Sequence, residues 1–242
     1  MAKAKCIAGI FDVHVPDHDR ALWRAFLKWC RDVKPDEIII GGDFLELESC
    51  SSHGGNPRPP LLSEEITAGK AALRQLREAN PHATLTYLEG NHEHRLSRHL
   101  SNGAPTLSGS LHLPDLLDLR SFGCKWVDYG KVITRGKIGF THGFWASDAH
   151  AKKHLSEYGH SIAYGHTHRP QVYTRGSLAG DVHGAFGMPC MRGLDAQWLH
   201  NRPCGWMQGF GVFYVLDDGS FHPYTVLANR SRFVWNGKHY SG

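Results

Sequence analysis

Residues 5–14 read KCIAGIFDVH and residues 37–46 read EIIIGGDFLE, and in both segments a short apolar run leads into carboxylate or imidazole side chains. Each apolar run is typical of a buried strand. Between them, residues 19–34 repeat apolar side chains at helical spacing, and the pattern stops at Pro35. Strand, helix and strand in this order predict a βαβ unit with two parallel strands.

The same alternation continues along the chain. A helix is predicted over residues 61–78, a strand over residues 84–88 and another helix from Asn91. After Lys125 the predicted strands are short and closely spaced, which indicates two β-sheets packed together with helices outside. These short strands cover residues 131–133, 137–140, 161–164, 171–174 and 211–216.

Two segments have the composition of loops. Residues 49–60 read SCSSHGGNPRPP, and residues 181–208 are rich in glycine and proline. The second segment is too long for a passive connector, so we expect a functional loop or a small cap. We find no internal repeat and no linker, and a chain of this length can bury one core, so we expect a single domain over residues 1–242.

The composition is that of a globular protein, with 41% hydrophobic and 21% charged residues. No apolar run approaches the length of a membrane span, and residues 1–9 are too polar for a secretory signal. We therefore expect a cytoplasmic protein, in the host cytoplasm if the gene belongs to a phage. The six cysteines are scattered and are expected to be reduced thiols. The net charge of +4 is compatible with an anionic substrate, and the 18 histidines prompt a search for metal ligands.

Five polar clusters each follow a predicted strand. They are Asp12-Val13-His14, Gly42-Asp43-Phe44-Leu45-Glu46, Gly90-Asn91-His92-Glu93, Thr141-His142-Gly143 and Gly165-His166-Thr167-His168. Each cluster alone is a weak signal, but ligand sites in α/β folds gather where strands end. Two cations about 3.5–4 Å apart can neutralise a phosphate ester, activate a bridging water and hold the ester in line for attack. Such a pair needs a shared carboxylate with imidazole or carbonyl ligands, and the five clusters supply these groups.

In this order the clusters resemble the motifs of the calcineurin-like metallophosphoesterase superfamily, which are DxH, GDxx, GNH(D/E), H and GHxH. The resemblance covers residues 12–168 and implies a four-layer αββα sandwich of two mixed β-sheets flanked by helices, with the site in loops at the carboxyl ends of the strands. By position, it assigns Asp12, His14 and His168 to one metal, Asn91, His142 and His166 to the other, and Asp43 to both.

The resemblance also assigns catalytic roles. His92 matches the general acid of the superfamily, and Glu46 matches the acidic partner that orients it, so we expect Glu46 to accept a hydrogen bond from the His92 ring. Arg95 could reach the substrate phosphate, although a solvated arginine on a helix surface explains it equally well. The cofactors implied are two divalent ions, with Mn²⁺ expected first and iron, zinc or magnesium also compatible with mixed nitrogen and oxygen ligands.

Two departures separate this chain from the protein serine/threonine phosphatases of the superfamily. Those enzymes carry an arginine soon after the second motif, whereas Glu46 is followed here by Leu47 and Glu48. They also carry two glycines after the lone histidine, whereas His142-Gly143 is followed by Phe144. The chain is more similar to the compact stand-alone phosphodiesterases of phages and bacteria. It is too short to carry the DNA-capping domain of the repair nucleases.

The expected function is hydrolysis of phosphodiester bonds in nucleotides, cyclic nucleotides or nucleic acid by a metal-bridging hydroxide. The alternatives are a phosphomonoesterase, a nucleotide pyrophosphohydrolase, or a non-catalytic binding module similar to the retromer subunit of the superfamily. The last alternative requires a lost ligand or a lost acid, and none is missing from the motifs. No membrane partner is expected, and the sequence leaves the oligomeric state open.

Other candidate residues have simpler explanations. The spacing of Cys190, Cys204, His183 and His200 fits no zinc pattern, so we do not expect a structural zinc site there. Trp145, Trp198 and Trp206 lie in predicted loops, where they pack a lid or stack on a base or aryl leaving group. His94, His99, His150 and His154 lie on predicted helices and are expected at the surface.

Overall fold

The predicted βαβ unit is present in the computed structural model, which describes residues 4–52, 58–176, 178, 182–196 and 202–242. Strand β1 spans Lys5–Ile10, helix α1 spans Arg20–Val33 and strand β2 spans Glu37–Ile40, and the two strands pair in parallel. The side chain of Asp19 caps α1 by accepting two backbone hydrogen bonds, at 3.0 and 2.9 Å. This cap satisfies amide groups that otherwise lack partners in the first turn.

The remaining helices are α2 (Leu62–Ala79), α3 (His94–Gly103), α4 (Leu113–Leu116) and α5 (His150–Tyr158). Short 3₁₀ turns occupy Glu48–Cys50 and Pro105–Leu107. The remaining strands are β3 (Thr84–Leu88), β4 (Cys124–Val127), β5 (Ile133–Arg135), β6 (Ile138–Thr141), β7 (Ser161–Tyr164), β8 (Gln171–Gly176), β9 (Val182–Gly187), β10 (Gln208–Val215), β11 (Phe221–Ala228), β12 (Arg232–Trp235) and β13 (Lys238–Ser241).

Two mixed sheets carry the site. The first has six strands in the order β11-β10-β1-β2-β3-β4, and the second has five in the order β5-β6-β7-β9-β8. In the first sheet, β1 to β4 run parallel, while β10 and β11 add antiparallel strands at one side. In the second sheet, β6, β7 and β9 are parallel. Strands β12 and β13 form a separate two-stranded ribbon.

The alternation of side chains along the strands explains the layers. Ile38 and Ile40 of β2 point into a core shared with α1 and α2, whereas Ile39 points into a core shared with the second sheet. On the second sheet, Ala163 faces the inner core, while Ile162 packs against α5. The layers are therefore helices, sheet, sheet and helix, which confirms the predicted αββα fold class.

The prediction of a loop or small cap over residues 181–208 is partly wrong. Its first part is strand β9, which lies between β7 and β8 in the second sheet and is buried over its last four residues. Residues 188–196 and 202–207 are irregular, and residues 197–201 lie outside the described part of the chain. Strand β11 was not predicted either, and its mostly exposed side chains explain why an apolar pattern is absent there.

In the described part of the chain, no helix is long and apolar enough to cross a membrane. All six cysteines are free thiols, and five of them are buried.

Candidate metal centre

The five motifs converge because their strands are neighbours. Asp12, Asp43 and Asn91 follow β1, β2 and β3, which lie side by side and run parallel. His142 and His166 follow the parallel strands β6 and β7 of the facing sheet. The carboxyl ends of neighbouring parallel strands meet at one edge of a sheet, so these loops face a common space.

The backbone of this region is held in an uncommon conformation. Asp12, His14, Asp43, His166 and His168 all have positive φ angles, between 49° and 69°. Non-glycine residues seldom adopt the left-handed region, which costs of order 1 kcal/mol or more for each residue. Such strain gathers where side chains must be aimed at a ligand. The coincidence of strain with five of the predicted ligands therefore supports a functional site.

The first group of candidate ligands consists of Asp12, His14 and His168. Their donor atoms all lie within 4.8 Å of one another. Nε2 of His14 lies 3.1 Å from Nε2 of His168, which in turn lies 3.3 Å from Oδ1 of Asp12. All three side chains are buried. Two imidazoles and one carboxylate that present donor atoms to the same point match the preferences of a first-row divalent metal.

The second group consists of Asp43, His142 and His166, again with donor atoms within 4.8 Å. Oδ1 of Asn91 joins this group, because it lies 2.9 Å from Nε2 of His142 and 2.8 Å from Nδ1 of His166. The geometry thus brings together the four residues that the motifs assign to the second metal and its bridge. The amide carbonyl of Asn91 supplies a neutral oxygen ligand.

Asp43 lies between the two groups. Its Oδ2 atom is 3.3 Å from Nε2 of His142, and its carboxylate also forms a cluster with His14 and His92. Oδ1 of Asp43 accepts a hydrogen bond of 2.8 Å from the backbone N–H of His92, which fixes the orientation of the carboxylate. A carboxylate next to ligands of both groups is in the position that a bridge between two cations requires.

Two motif glycines leave room for these carboxylates. A Cβ atom on Gly90 would overlap Oδ1 and the backbone nitrogen of Asp43, and a Cβ atom on Gly165 would overlap Oδ2 of Asp12. Because such overlaps cannot be relieved without moving the acidic side chains, these positions require glycine. The glycines of the GNH and GHxH motifs are therefore part of the site.

The electrostatics of the centre favour positive charge. Burial opposes protonation of His168, but the carboxylate of Asp12 outweighs it and raises the pKa of His168 to about 10. In the same way burial is outweighed by Asp43, which raises the pKa of His142 to about 9. The pKa of buried His14 is instead lowered well below its usual value by burial and by His168. The buried carboxylates favour protonation of the neighbouring histidines. Divalent cations compete with these protons for the histidine nitrogens, so the same donor set is suited to bind metal.

The contacts of Glu46 differ from those predicted. Nδ1 of His92 donates to the backbone carbonyl of Glu46 at 2.7 Å, while the nearest carboxylate oxygen lies 3.5 Å away. The Glu46 carboxylate instead lies 2.8 Å from Nδ1 of His14, although that contact lacks hydrogen-bond alignment. The prediction that the Glu46 side chain orients His92 is therefore wrong in this structure, because the main chain already fixes that ring.

Arg95 lies at the site on α3, with its side chain mostly buried. One guanidinium nitrogen donates to the backbone carbonyl of Glu46 at 2.8 Å, and another lies 3.0 Å from Nε2 of His92. An arginine has only N–H donors, so Nε2 of His92 accepts this hydrogen bond. In this arrangement the His92 ring is neutral, consistent with burial lowering the pKa of His92 to about 3.

Glu93 is a buried organising residue that the sequence analysis left without a role. Its carboxylate accepts hydrogen bonds from the backbone N–H groups of Asp43, Leu45 and Gly90, each at 2.9 Å, and from the hydroxyl of Tyr87 at 2.8 Å. Burial, with the nearby Asp43 carboxylate, raises the pKa of Glu93 to about 7. Glu93 thus ties the second and third motifs together. The acidic residue after the GNH sequence is a signal that could have indicated this role.

Arg192 is a second residue that the sequence analysis missed. It lies in the irregular segment after β9, yet its side chain is buried and pairs with Glu46 and Asp17. No local motif marks this arginine, because its partners are more than a hundred residues away in the sequence.

Two of the histidines expected at the surface are buried. His150 donates or accepts a 2.6 Å hydrogen bond with the hydroxyl of Tyr164, and His154 stacks on the Tyr164 ring at 3.6 Å between centroids. Nε2 of His154 also accepts a 3.3 Å hydrogen bond from the backbone N–H of Phe144. That expectation is therefore wrong for these two residues, which pack α5 against β7 and anchor the loop after His142.

The loop tryptophans and the zinc candidates have different outcomes. Trp145 packs edge-on against His154 at 4.9 Å, whereas Trp206 lies 4.4 Å from the ring of His168. Trp198 and His200 lie outside the described residues, so the zinc site stays untested. Among the described residues, no cluster of three potential metal ligands includes Cys190 or Cys204.

Comparisons with known proteins bear on the fold of the chain. No protein family profile matches the chain. The gene 54 protein of Mycobacterium phage D29 is 26% identical over 254 residues, covering 97% of this chain and 98% of that protein. The gene 54 protein of Mycobacterium phage L5 is 25% identical over 253 residues, with the same coverage. Among solved structures, vacuolar protein sorting 29 from Cryptosporidium parvum is similar with a TM-score of 0.50 and 13% identity, covering 99% of this chain and 96% of that one.

This structural match extends over nearly the full length of both chains. The motif residues also lie where the predicted fold requires them, at the carboxyl ends of adjacent strands. The chain therefore has the fold of vacuolar protein sorting 29, and its two mixed sheets flanked by helices are the fold that the motif resemblance implies.

Proposed function

We propose that the protein is a binuclear metal-dependent phosphodiesterase that hydrolyses phosphodiester bonds of nucleotides or nucleic acid. The observation that carries the proposal is the pair of buried Asp and His groups with Asp43 next to both. Asp12, His14 and His168 would hold one divalent cation, and Asn91, His142 and His166 the other. The two ions would supply positive charge for the phosphate and a nucleophile derived from water at neutral pH. Mn²⁺ is the first ion to test.

His92 is proposed as the general acid. Its Nδ1 atom is fixed by the backbone carbonyl of Glu46, so its Nε2 atom is the one left to exchange a proton with a ligand. Nε2 lies 3.7 Å from Oδ2 of Asp43, beside the candidate ligand cluster. An anionic phosphate next to this nitrogen would favour the protonated ring, because an opposite charge nearby raises a histidine pKa. The ring could then donate its proton to the departing alkoxide.

Arg95 would serve the substrate phosphate directly. In the structure it donates to Nε2 of His92, and the same N–H could turn to a phosphate oxygen. Arg192 is not available for such a role, because its guanidinium already pairs with two carboxylates. One arginine that turns from His92 to the phosphate is better matched to the one negative charge of a diester than to the two charges of a monoester. This difference supports the diester over the alternative of a monoester.

Aromatic rings beside the ligands support a nucleoside substrate. His94 stacks on Tyr129 at 4.8 Å between centroids, and Tyr129 packs edge-on against Phe144 at 5.5 Å. Glu89 fixes this group by accepting from the Tyr129 backbone N–H at 2.8 Å and by contacting the ring of His94 at 3.1 Å. Phe144 is 39% exposed, although it follows a candidate ligand by only two residues. A base stacked on such a ring typically contributes about 1–3 kcal/mol.

The test is a hydrolysis panel with purified protein and Mn²⁺. It compares a bis-aryl phosphodiester, an aryl monoester, 2′,3′- and 3′,5′-cyclic nucleotides, and single- and double-stranded nucleic acid. We expect faster hydrolysis of diesters than of the monoester, and loss of all activity with a chelator. A strong preference for the monoester would instead support a phosphomonoesterase. A protein that binds metal and hydrolyses none of these substrates would be a binding module.

The aromatic rings can be tested separately with the nitrophenyl ester of thymidine 5′-phosphate and with methyl nitrophenyl phosphate. Phe144→Ala should raise the KM of the thymidine ester about 5- to 100-fold and leave that of the methyl ester nearly unchanged. Trp145→Ala, which removes a ring packed on α5, is the matched control. Equal effects of Phe144→Ala on both substrates would refute base stacking.

Since both curated relatives are phage proteins, we expect the enzyme to act in the cytoplasm of an infected host.

A further inference from the structure

Arg192 forms a buried charge network with two acidic residues. Its side chain is only 6% exposed, and its Nη2 atom lies 3.1 Å from Oδ2 of Asp17. Its Nη1 atom contacts Oε2 of Glu46, a buried carboxylate in the second motif. A buried arginine is costly unless carboxylates compensate for its lost hydration, so this arrangement is specific.

The backbone around Arg192 is held in place against the first motif. The N–H groups of Met191 and Arg192 donate to the carbonyl of Asp12 at 3.0 and 3.2 Å, and the N–H of Gly193 donates to the carbonyl of Asp17 at 2.9 Å. The side chain of Gln208 donates to the carbonyl of Arg192 at 2.8 Å. These hydrogen bonds fix the main chain from which the guanidinium reaches Glu46.

The Glu46 carboxylate that Arg192 holds also contacts one of the candidate ligands. The same Oε2 atom that contacts Arg192 lies 2.8 Å from Nδ1 of His14, whose Nε2 atom faces His168. At this distance a small rotation of the ring would let Nδ1 donate to the carboxylate, and a carboxylate that accepts from the distal nitrogen of a ligating histidine fixes its ring and tautomer and strengthens it as a ligand. Among the described ion pairs no lysine contacts Glu46, and the only other guanidinium near it is that of Arg95, at 3.8 Å.

We propose that Arg192 is a positioning residue that holds Glu46 against His14 and thereby strengthens the binding of one of the two cations. This inference rests on the proposed metal centre, but it does not depend on the substrate. It also gives a role to the irregular segment after β9, which supplies this arginine.

The test measures Mn²⁺ binding to metal-free protein by calorimetry, without substrate. Arg192→Met should weaken one of the two sites about 10- to 100-fold, the usual cost of losing an outer partner of a metal ligand. Arg192→Lys, which keeps the charge but not the planar fork, should restore part of this loss. Asp17→Asn is the matched control, because it removes the half-exposed partner and leaves the contact with Glu46 intact.

A second measurement separates positioning from simple packing. In a Glu46→Gln background, Arg192→Met should change the Mn²⁺ affinity less than about 3-fold, because the two residues act through one contact. An equal loss of affinity in both backgrounds would overturn the proposal. Unchanged affinity in Arg192→Met, with a lower melting temperature, would also overturn it. If Arg192→Met does not fold, Arg192→Lys is used in the same cycle.

The two proposals fail in different ways. Wild-type protein that binds no Mn²⁺ would refute the metal centre itself. Wild-type protein that binds two ions, with an Arg192→Met variant that binds them equally well, would refute only the role of Arg192.

Discussion

Buried carboxylates at the two ends of the parallel strands have different partners. At the amino end of β2, Glu37 is 1% exposed and is neutralised within the chain. Arg135 donates to it from Nη2 at 2.7 Å and from Nε at 2.9 and 3.0 Å, and Lys5 donates at 2.7 Å. Thr86 completes the set with a contact of 3.2 Å. This network needs nothing from solution.

At the carboxyl end, Asp12 and Asp43 are equally buried but face histidines. A histidine neutralises a carboxylate only while it holds a proton, and it becomes a metal ligand when it gives the proton up. The comparison teaches that burial of an acidic group does not by itself mark a site. The type of partner decides whether a buried acidic group can bind a metal ion. At the amino end, which we call the closed end, arginine and lysine neutralise the carboxylate permanently. At the carboxyl end, the open end, histidine protons can be replaced by metal ions.

The largest effect is expected at the open end. Asp43→Asn should lower the turnover of a diester by about 10⁴-fold or more, because the loss of a shared carboxylate removes several kcal/mol of charge stabilisation. The check is a steady-state assay with saturating Mn²⁺, alongside circular dichroism to show that the variant is folded. Turnover within 10-fold of wild type would show that Asp43 is not shared by two cations.

The next effect concerns His92, which lies beside the open end without being assigned as a ligand. His92→Asn should retain both metals and lower the rate about 10²- to 10⁴-fold for a diester with a basic leaving group. A nitrophenyl diester, whose leaving group departs without a proton, should be much less affected. Comparable losses on both substrates would mean that His92 acts in phosphate binding or charge stabilisation and not as an acid.

The closed end should respond in stability and not in catalysis. Glu37→Gln leaves Arg135 and Lys5 without their carboxylate, so the free energy of unfolding should fall by about 1–3 kcal/mol. Turnover per bound metal should stay close to that of wild type. Chemical denaturation together with a metal-loaded assay checks both. A variant with lost turnover and normal stability would contradict the division between the two ends.

The pH dependence sharpens this prediction. Burial alone would raise the pKa of Glu37, but Arg135 and Lys5 outweigh it and lower the pKa below its ordinary value of 4.5. A lowered pKa in the folded state stabilises the protein fully above the unfolded value and progressively less as the pH falls through the folded value. The stability difference between wild type and Glu37→Gln should therefore be constant above about pH 5 and shrink below about pH 4.5. A difference that grows on acidification would contradict the ion pair.

Much of the fold and the ligand set follows from local sequence. β3 is predicted residue for residue, and α1 within one residue at each end, since apolar periodicity and capping residues are local signals. The ligands are predictable because their motifs follow strands, and parallel strands bring their carboxyl ends together. The histidine and two glycines of β9 interrupt the apolar pattern of a buried strand, so the sequence predicts a loop there.

Tertiary contacts explain the remaining differences. The burial of His150 and His154 depends on Tyr164 from a neighbouring strand, although Ala151 and Leu155 continue the same buried helical face and could have indicated it. Glu46 was assigned to the His92 ring by position, and only the fold shows that Arg192 draws its carboxylate toward His14. Sequence patterns thus specify which residues gather, while partners from distant segments decide which atoms meet.

The central claim is that the carboxyl end of the sheets is a site for two cations. The most direct test is calorimetric titration of metal-free wild-type protein with Mn²⁺, followed through the same additions by hydrolysis of a nitrophenyl diester. We predict binding of two ions per chain and activity that rises with the second equivalent. Binding of fewer than two ions per chain, or full activity in the presence of a chelator, would contradict the claim.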